Sequence, residues 1–265
     1  MKKQFAYAVM SLALVSGASA QVQTNAFDAG ANYGGGGEPG WTNGANAGFG
    51  FGAWNIGTFG GGFKGNFIGD PSFAGISGMS TESFALYANP LSSGATVTAS
   101  RQLTTRLQVG ETFSFQFGIN GPSGIGGYKF IKISAGANEF ESNDFFVSNY
   151  NNDSAVTFAR DFVGNVDTGF GYGTNAMTWS FTYTDLTTIL VTANDRDGSG
   201  IFTTNVPTTA GIFGFEISAS SLAAGDANQP YFNNFAVTVP EPSTYALLAL
   251  AAAGLGAHVL RRRRK

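Results

Sequence analysis

Residues 112–119 read TFSFQFGI, and this octapeptide decides the fold class. Phe113, Phe115, Phe117 and Ile119 fall on one side of an extended chain, while Thr112, Ser114 and Gln116 fall on the other. A period of two is what a strand with one face in a core and one in water produces; on a helix the same residues would scatter around the axis. The alternation recurs. Trp179, Phe181 and Tyr183 interleave with Ser180, Thr182 and Thr184, and Phe213, Phe215 and Ile217 are spaced alike. Further strands are expected over residues 83–87, 96–101, 128–134, 139–147, 187–193, 201–205 and 231–239. NDRDGSG, residues 194–200, is a strong turn signal between two of them. Between 21 and 238 no stretch has helical apolar spacing; at most 220–224 makes one turn. Roughly ten short strands with such turns predict an all-β, two-sheet antiparallel sandwich of the jelly-roll type.

The first part of that sandwich, residues 21–70, is rich in Gly, Asn and aromatics. Its Gly-Gly runs are followed by no Lys-Ser/Thr pair, so they make no phosphate-cradling loop. Low complexity admits a disordered tract. The spacing of Trp41, Trp54, Phe59, Phe63 and Phe67 points instead to short strands with wide glycine turns, an ordered but irregular edge structure packed on the sandwich through its rings. Tyr33, Trp41 and Trp54, with Asn residues around them, are also candidates for a surface on which sugar rings stack; core packing is the competing reading.

The two ends carry addresses. Lys2 and Lys3, an apolar run over 5–15 and Ala18-Ser19-Ala20 make residues 1–20 a secretory signal peptide, with Gln21 the expected first residue of the mature chain. Residues 239–265 read VPEPSTYALLALAAAGLGAHVLRRRRK. Two prolines keep Val239, Pro240, Glu241 and Pro242 extended and accessible. Residues 245–260 contain no Asp, Glu, Lys or Arg. As a helix they reach roughly 24 Å, short of a hydrocarbon core of about 30 Å, a deficit that snorkelling side chains cover in part. Arg261, Arg262, Arg263, Arg264 and Lys265 then form a membrane stop signal held on the cytoplasmic side. Residues 239–265 are thus expected to be a sorting and anchor segment behind a sandwich of residues 21–238.

This order of motif, apolar helix and arginine cluster resembles the PEP-CTERM sorting signal of Gram-negative bacteria. The resemblance implies an exosortase-type processing protease as partner, acting near Pro240-Glu241-Pro242. It implies an inner-membrane intermediate, then a final place at the cell surface or in the extracellular matrix. An ordinary uncleaved anchor is the alternative.

Composition excludes several function classes. The chain has 14 Lys and Arg against 17 Asp and Glu, net −3. Without its terminal segments seven basic residues face sixteen acidic ones, net −9. Nucleic acid is no partner for such a body, because phosphate neutralisation needs clustered cations. Cysteine is absent, so no disulfide supports the fold. The single histidine, His258, lies in the apolar tail segment. A body without His or Cys has no Ser-His-Asp or Cys-His machinery, no ordinary zinc site and no c-type haem attachment.

Two polar runs remain as candidates. Glu139, Glu141 and Asp144 form a carboxylate cluster; on a strand Glu139 and Glu141 share one side, about 6.5–7 Å apart. Jelly-roll glycosidases carry a similar Glu-x-Asp-x-x-Glu run, from which this chain departs by Glu141 in the second acidic position and Asp144 in the last. A solvated strand end is the competing reading. Asp195 and Asp197, with Gly198 at the bend, resemble the opening of a calcium loop, but the closing acidic ligand of that pattern is missing. A plain Asp-Gly turn explains them equally. The strand order, with LQVGETFSF at 107–115, is similar to concanavalin/laminin-G-like jelly rolls over residues 80–238. The expected function is a structural or adhesive role outside the cell without catalysis. The alternative is a carbohydrate-binding module, Ca²⁺-dependent in one version, that holds exopolysaccharide; a glycoside hydrolase is third.

Overall fold

The structure, a computed structural model, describes residues 22–34, 40–90, 94–135, 144–160, 163–194 and 200–240. Among them are fifteen strands: β1 (Val22–Asp28), β2 (Asn55–Gly60), β3 (Phe63–Gly69), β4 (Ser83–Asn89), β5 (Ala95–Gln102), β6 (Thr112–Gly118), β7 (Tyr128–Ala135), β8 (Asp144–Tyr150), β9 (Thr157–Arg160), β10 (Val163–Asp167), β11 (Met177–Asp185), β12 (Thr188–Asn194), β13 (Ile201–Pro207), β14 (Ile212–Ser220) and β15 (Tyr231–Pro240). They form two sheets. An eight-stranded sheet runs β13-β12-β11-β6-β15-β4-β3, with β1 also paired to β15, and a seven-stranded sheet runs β10-β9-β8-β7-β14-β5-β2. The expected all-β, two-sheet antiparallel sandwich is what the chain adopts.

The alternation at 112–119 works as expected. Phe113, Phe115 and Phe117 of β6 are buried between the sheets. Phe113 stacks on Phe215 of the facing sheet at 5.6 Å, and Phe215 stacks on Phe235 at 4.2 Å. Phe145 of β8 meets Phe181 of β11 at 6.3 Å. Each buried Phe contributes about 1.5–3 kcal/mol, and in a chain without disulfides this aromatic layer supplies the cohesion.

The structure gives the local detail. Residues 29–69 hold two ordered edge strands, β2 and β3, each an outer strand of one sheet. Gly60 lets the chain pass from one sheet to the other, because its φ is +76° and an added Cβ would sit 1.6 Å from the Gly94 carbonyl oxygen. Among the described residues the strand expected at 139–147 starts at Asp144, and residues 136–143 lie outside the description. The helical turns are 3-10 turns at Gly30–Asn32, Pro71–Ala74 and Asp226–Asn228, not at 220–224. β1, β9 and β10 add strands where none was expected.

Thr24–Thr238 form one compact unit. Residues 1–23 and 239–265 form another, of which Val22, Gln23, Val239 and Pro240 are described. The signal peptide and the apolar tail helix lie outside the described residues, as does His258. Among the described residues no helix is long and apolar enough to cross a membrane.

Candidate functional site

The inward frame of β5 reads Ala95, Val97, Ala99 and then Arg101. The guanidinium is therefore carried into the core, where it forms a salt bridge with Asp28 of β1. Arg101 Nε donates to the Gly52 carbonyl at 2.6 Å, and its guanidinium carbon lies 5.2 Å from the Phe51 ring centre and 5.4 Å from that of Trp54. Tyr33 Oη donates to Asp28 Oδ2 at 3.0 Å, and Trp54 Nε1 donates to the same oxygen at 3.2 Å. Burial raises the Asp28 pKa, opposed by Asn32, Arg101 and Tyr33. Burial, with the Asp28 charge, pushes the Tyr33 hydroxyl up to about 12. Trp41 packs edge-on against Trp54 at 5.3 Å and against Phe84 at 4.9 Å. Tyr33, Trp41 and Trp54 are thus buried anchors of the 29–54 segment, not a sugar platform. Core packing prevails because one aromatic cluster satisfies both their apolar surface and, for Tyr33 and Trp54, their polar tips.

A second cation follows the same logic. Lys129 shares the inward frame of β7 with Ile131, Ile133 and Ala135. Its Nζ donates to the Gly121 carbonyl at 2.5 Å and to that of Pro122 at 3.3 Å, 6.0 Å from the Tyr172 ring centre. Burial lowers its pKa to about 7.

The accessible chemistry is on the outer face of the seven-stranded sheet. Strand register lays out straight rows there. Asn55 of β2 faces Ser100 of β5, Ser100 faces Glu216 of β14, Glu216 faces Lys132 of β7, and Lys132 faces Phe146 of β8. One row along, Gln102 faces Gly214, Gly214 faces Ser134, and Ser134 faces Asp144. Lys132 Nζ stands 3.9 Å from both Glu216 Oε2 and Asp144 Oδ2. Burial raises the Glu216 pKa; Lys132 lowers it and Asp144 raises it further. Asn55, Ser100, Gln102, Lys132, Ser134 and Glu216 line a groove of about 570 Å³. Gly214 gives the groove depth, since an added Cβ would meet the Arg101 carbonyl oxygen at 2.7 Å.

Phe59 lies outside the lining of this groove but on the same face of the sheet. It lies on the same outer frame of β2 as Asn55, is 60 % exposed, and its ring reaches back over Gly57. A Cβ on Gly57 would sit 3.1 Å from Phe59 Cε2 and Cζ. An exposed ring on the face that also carries these amide, hydroxyl and carboxylate groups offers a stacking surface. Sequence reading passed over these residues. Their signal was available: Thr96, Thr98, Ser100 and Gln102 are the polar half of the β5 alternation, and Arg101 breaks its apolar half.

Of the expected site residues, Asp144 alone of the carboxylate run is described, paired with Lys132. Glu139 and Glu141 lie outside the described residues, as do Asp195 and Asp197, Glu241 and Pro242, and Arg261, Arg262, Arg263, Arg264 and Lys265. Val239 and Pro240 end β15. Among the described residues no group of three His, Cys, Asp or Glu is placed to hold a metal ion.

Beyond Thr238 the chain enters the segment read above as an address. Residues 238–265 match the PEP-CTERM protein-sorting motif. The motif marks an exported chain for membrane-associated sorting and implies processing by an exosortase. No curated protein matches the chain in sequence. Among solved structures, the globular domain of T. cruzi calreticulin is similar at 10 % identity and a TM-score of 0.45, over 77 % of this chain and 89 % of that one. β-Agarase A in complex with oligoagarose gives 10 % and 0.41 over 61 % and 74 %. Lectin II from Ulex europaeus gives 10 % and 0.36 over 66 % and 97 %.

Proposed function

We propose that this protein is an exosortase-sorted component of the cell surface or extracellular matrix of a Gram-negative bacterium, with a structural and adhesive role and no catalysis. The observation that carries the reading is the sorting motif at 238–265, whose first residues are the last ones of β15. Before processing, the apolar tail holds the chain in the inner membrane; Arg261 to Arg264 and Lys265 stop it there. The test is processing itself. In a host with an exosortase, the released protein is expected to lack its C-terminal segment by intact mass. Replacing Pro240, Glu241 and Pro242 by Ala is expected to leave the full-length chain in the membrane fraction. A released, processed triple variant would remove the sorting reading.

The groove favours a second reading, adhesion by carbohydrate binding. Its walls carry the amides of Asn55 and Gln102, the hydroxyls of Ser100 and Ser134, and Glu216 beside Lys132, and Phe59 is exposed on the same face. That set suits an uncharged exopolysaccharide better than a polyanion. Asp195 and Asp197 are the proposed Ca²⁺ ligands if binding needs the ion. Saturable binding of a neutral polysaccharide that EDTA abolishes supports the calcium version; binding that EDTA leaves unchanged supports the groove alone. Hydrolysis through Glu139 and Glu141 is the least supported role, and product release in a polysaccharide digest, lost in Glu141→Gln, is what it requires.

A further inference from the structure

The two sides of the sandwich end differently. On one side, β10 is bulged between Val163 and Val166 and finishes at Asp167, and β13 finishes in Pro207. Bulges, charges and prolines are the features that keep a sheet edge from pairing with another chain. On the other side stand β2 and β3. The Ile56 N–H of β2 is already taken by Asn43 Oδ1 at 2.9 Å. β3, FKGNFIG, has no proline and keeps an unbroken register with β4, its sole strand partner among the described residues. Its one charge, Lys64, is turned back onto the Gly60 carbonyl at 2.8 Å. Phe63 at its start is 69 % exposed, and Phe73 just beyond its end is 79 % exposed.

Charge selects the occupant. The body carries net −9, yet residues 39–69 contain no Asp or Glu. Two copies of this body repel each other across acidic faces and are spared that repulsion here. The strand is also self-complementary. Paired antiparallel about Asn66, Phe63 faces Gly69, Lys64 faces Ile68 and Gly65 faces Phe67, so each phenylalanine meets a glycine and the two Lys64 side chains stay apart. We propose that two copies of this chain pair antiparallel through β3, joining their eight-stranded sheets into one continuous sheet. Each copy presents the same patch to the other, as a two-fold contact requires, and main-chain hydrogen bonds hold the pair. The contact is independent of the groove.

The test uses the full chain in detergent, by sedimentation and by cross-linking. The native sequence has no cysteine, so introduced thiols report only the designed contact. A dimer is expected whose dissociation constant rises at least tenfold in Phe63→Glu and stays unchanged in Ile201→Glu, a control at the exposed start of β13. Phe63→Cys/Gly69→Cys is expected to give a disulfide-linked dimer on mild oxidation, at several times the yield of either single variant. A monomer, a dimer insensitive to Phe63→Glu, equal sensitivity to Ile201→Glu, or a double variant that cross-links no better than the single ones would each overturn the proposal. A monomer that captures a neutral polysaccharide through Phe63 would assign this edge to the glycan instead, and overturn it equally.

Discussion

Arg101 and Asp28 form an ion pair in which neither side chain has exposed surface, joining the first strand of the eight-stranded sheet to an inner strand of the seven-stranded one. Two buried charges hold each other against a desolvation cost that neither tolerates alone. Asp28→Ala is therefore expected to lower stability by about 3–5 kcal/mol, and Arg101→Ala by a similar amount. The double variant Asp28→Ala/Arg101→Ala is expected to lose clearly less than the two single losses together. Urea denaturation of all four proteins measures this, and strictly additive losses would show that the pair is not coupled.

Lys129 predicts a pH dependence. Burial lowers its folded pKa to about 7 from the ordinary lysine value of 10.5, so between those limits the unfolded chain binds more protons. Stability from this group therefore rises with pH across that window, by at most about 1.4 kcal/mol per pH unit, and is level below it. Lys129→Met is expected to remove the slope while leaving the Gly121 and Pro122 carbonyls without their donor. Thermal melts of both proteins between pH 7 and pH 10 check this; parallel curves would refute it.

Trp54 distinguishes packing from recognition. It is 1 % exposed and touches Phe84, Phe215 and Phe235. Trp54→Ala is expected to cost about 3–5 kcal/mol of stability, read by chemical denaturation. A loss under about 1 kcal/mol would contradict a core role.

The groove makes the opposite demand. Phe59→Ala and Glu216→Gln are expected to leave the melting temperature at neutral pH within a few degrees of the native value. Each is expected to weaken any neutral-polysaccharide binding about tenfold, as measured by affinity electrophoresis. Because burial holds the Glu216 pKa above its ordinary value, its contribution to stability falls as pH rises through that interval. Glu216→Gln should abolish that fall, so unchanged acid melting in the variant would argue against a buried Glu216.

Much of the fold was legible because burial is written in the sequence with period two. Phe113, Phe115 and Phe117, or Trp179, Phe181 and Tyr183, leave little room for another reading. β2 and β3 were legible only as short strands without bounds, because outer strands carry Gly and Asn where a central strand carries a continuous apolar row. β9 is too short for its alternation to register. Core packing outweighed a sugar platform for Tyr33 and Trp54 from sequence, but their polar partners were not visible, because Asp28 and Arg101, which let both be buried, are far apart in sequence. The groove was missed for a related reason. Asn55, Ser100, Glu216 and Lys132 become one row only when four strands from distant parts of the chain are set in register.

The order of strands in the two sheets fixes when the molecule can form. β15, the last strand made, sits between β6 and β4, and β14, the one before it, sits between β7 and β5. Neither sheet can close until the end of the body has been synthesised. Until then β6 and β4, like β7 and β5, each lack the neighbour that lies between them, and the rows of main-chain donors and acceptors along those strands stay open. The sandwich therefore gains its rigidity late, with the last of its strands, and not piece by piece along the chain.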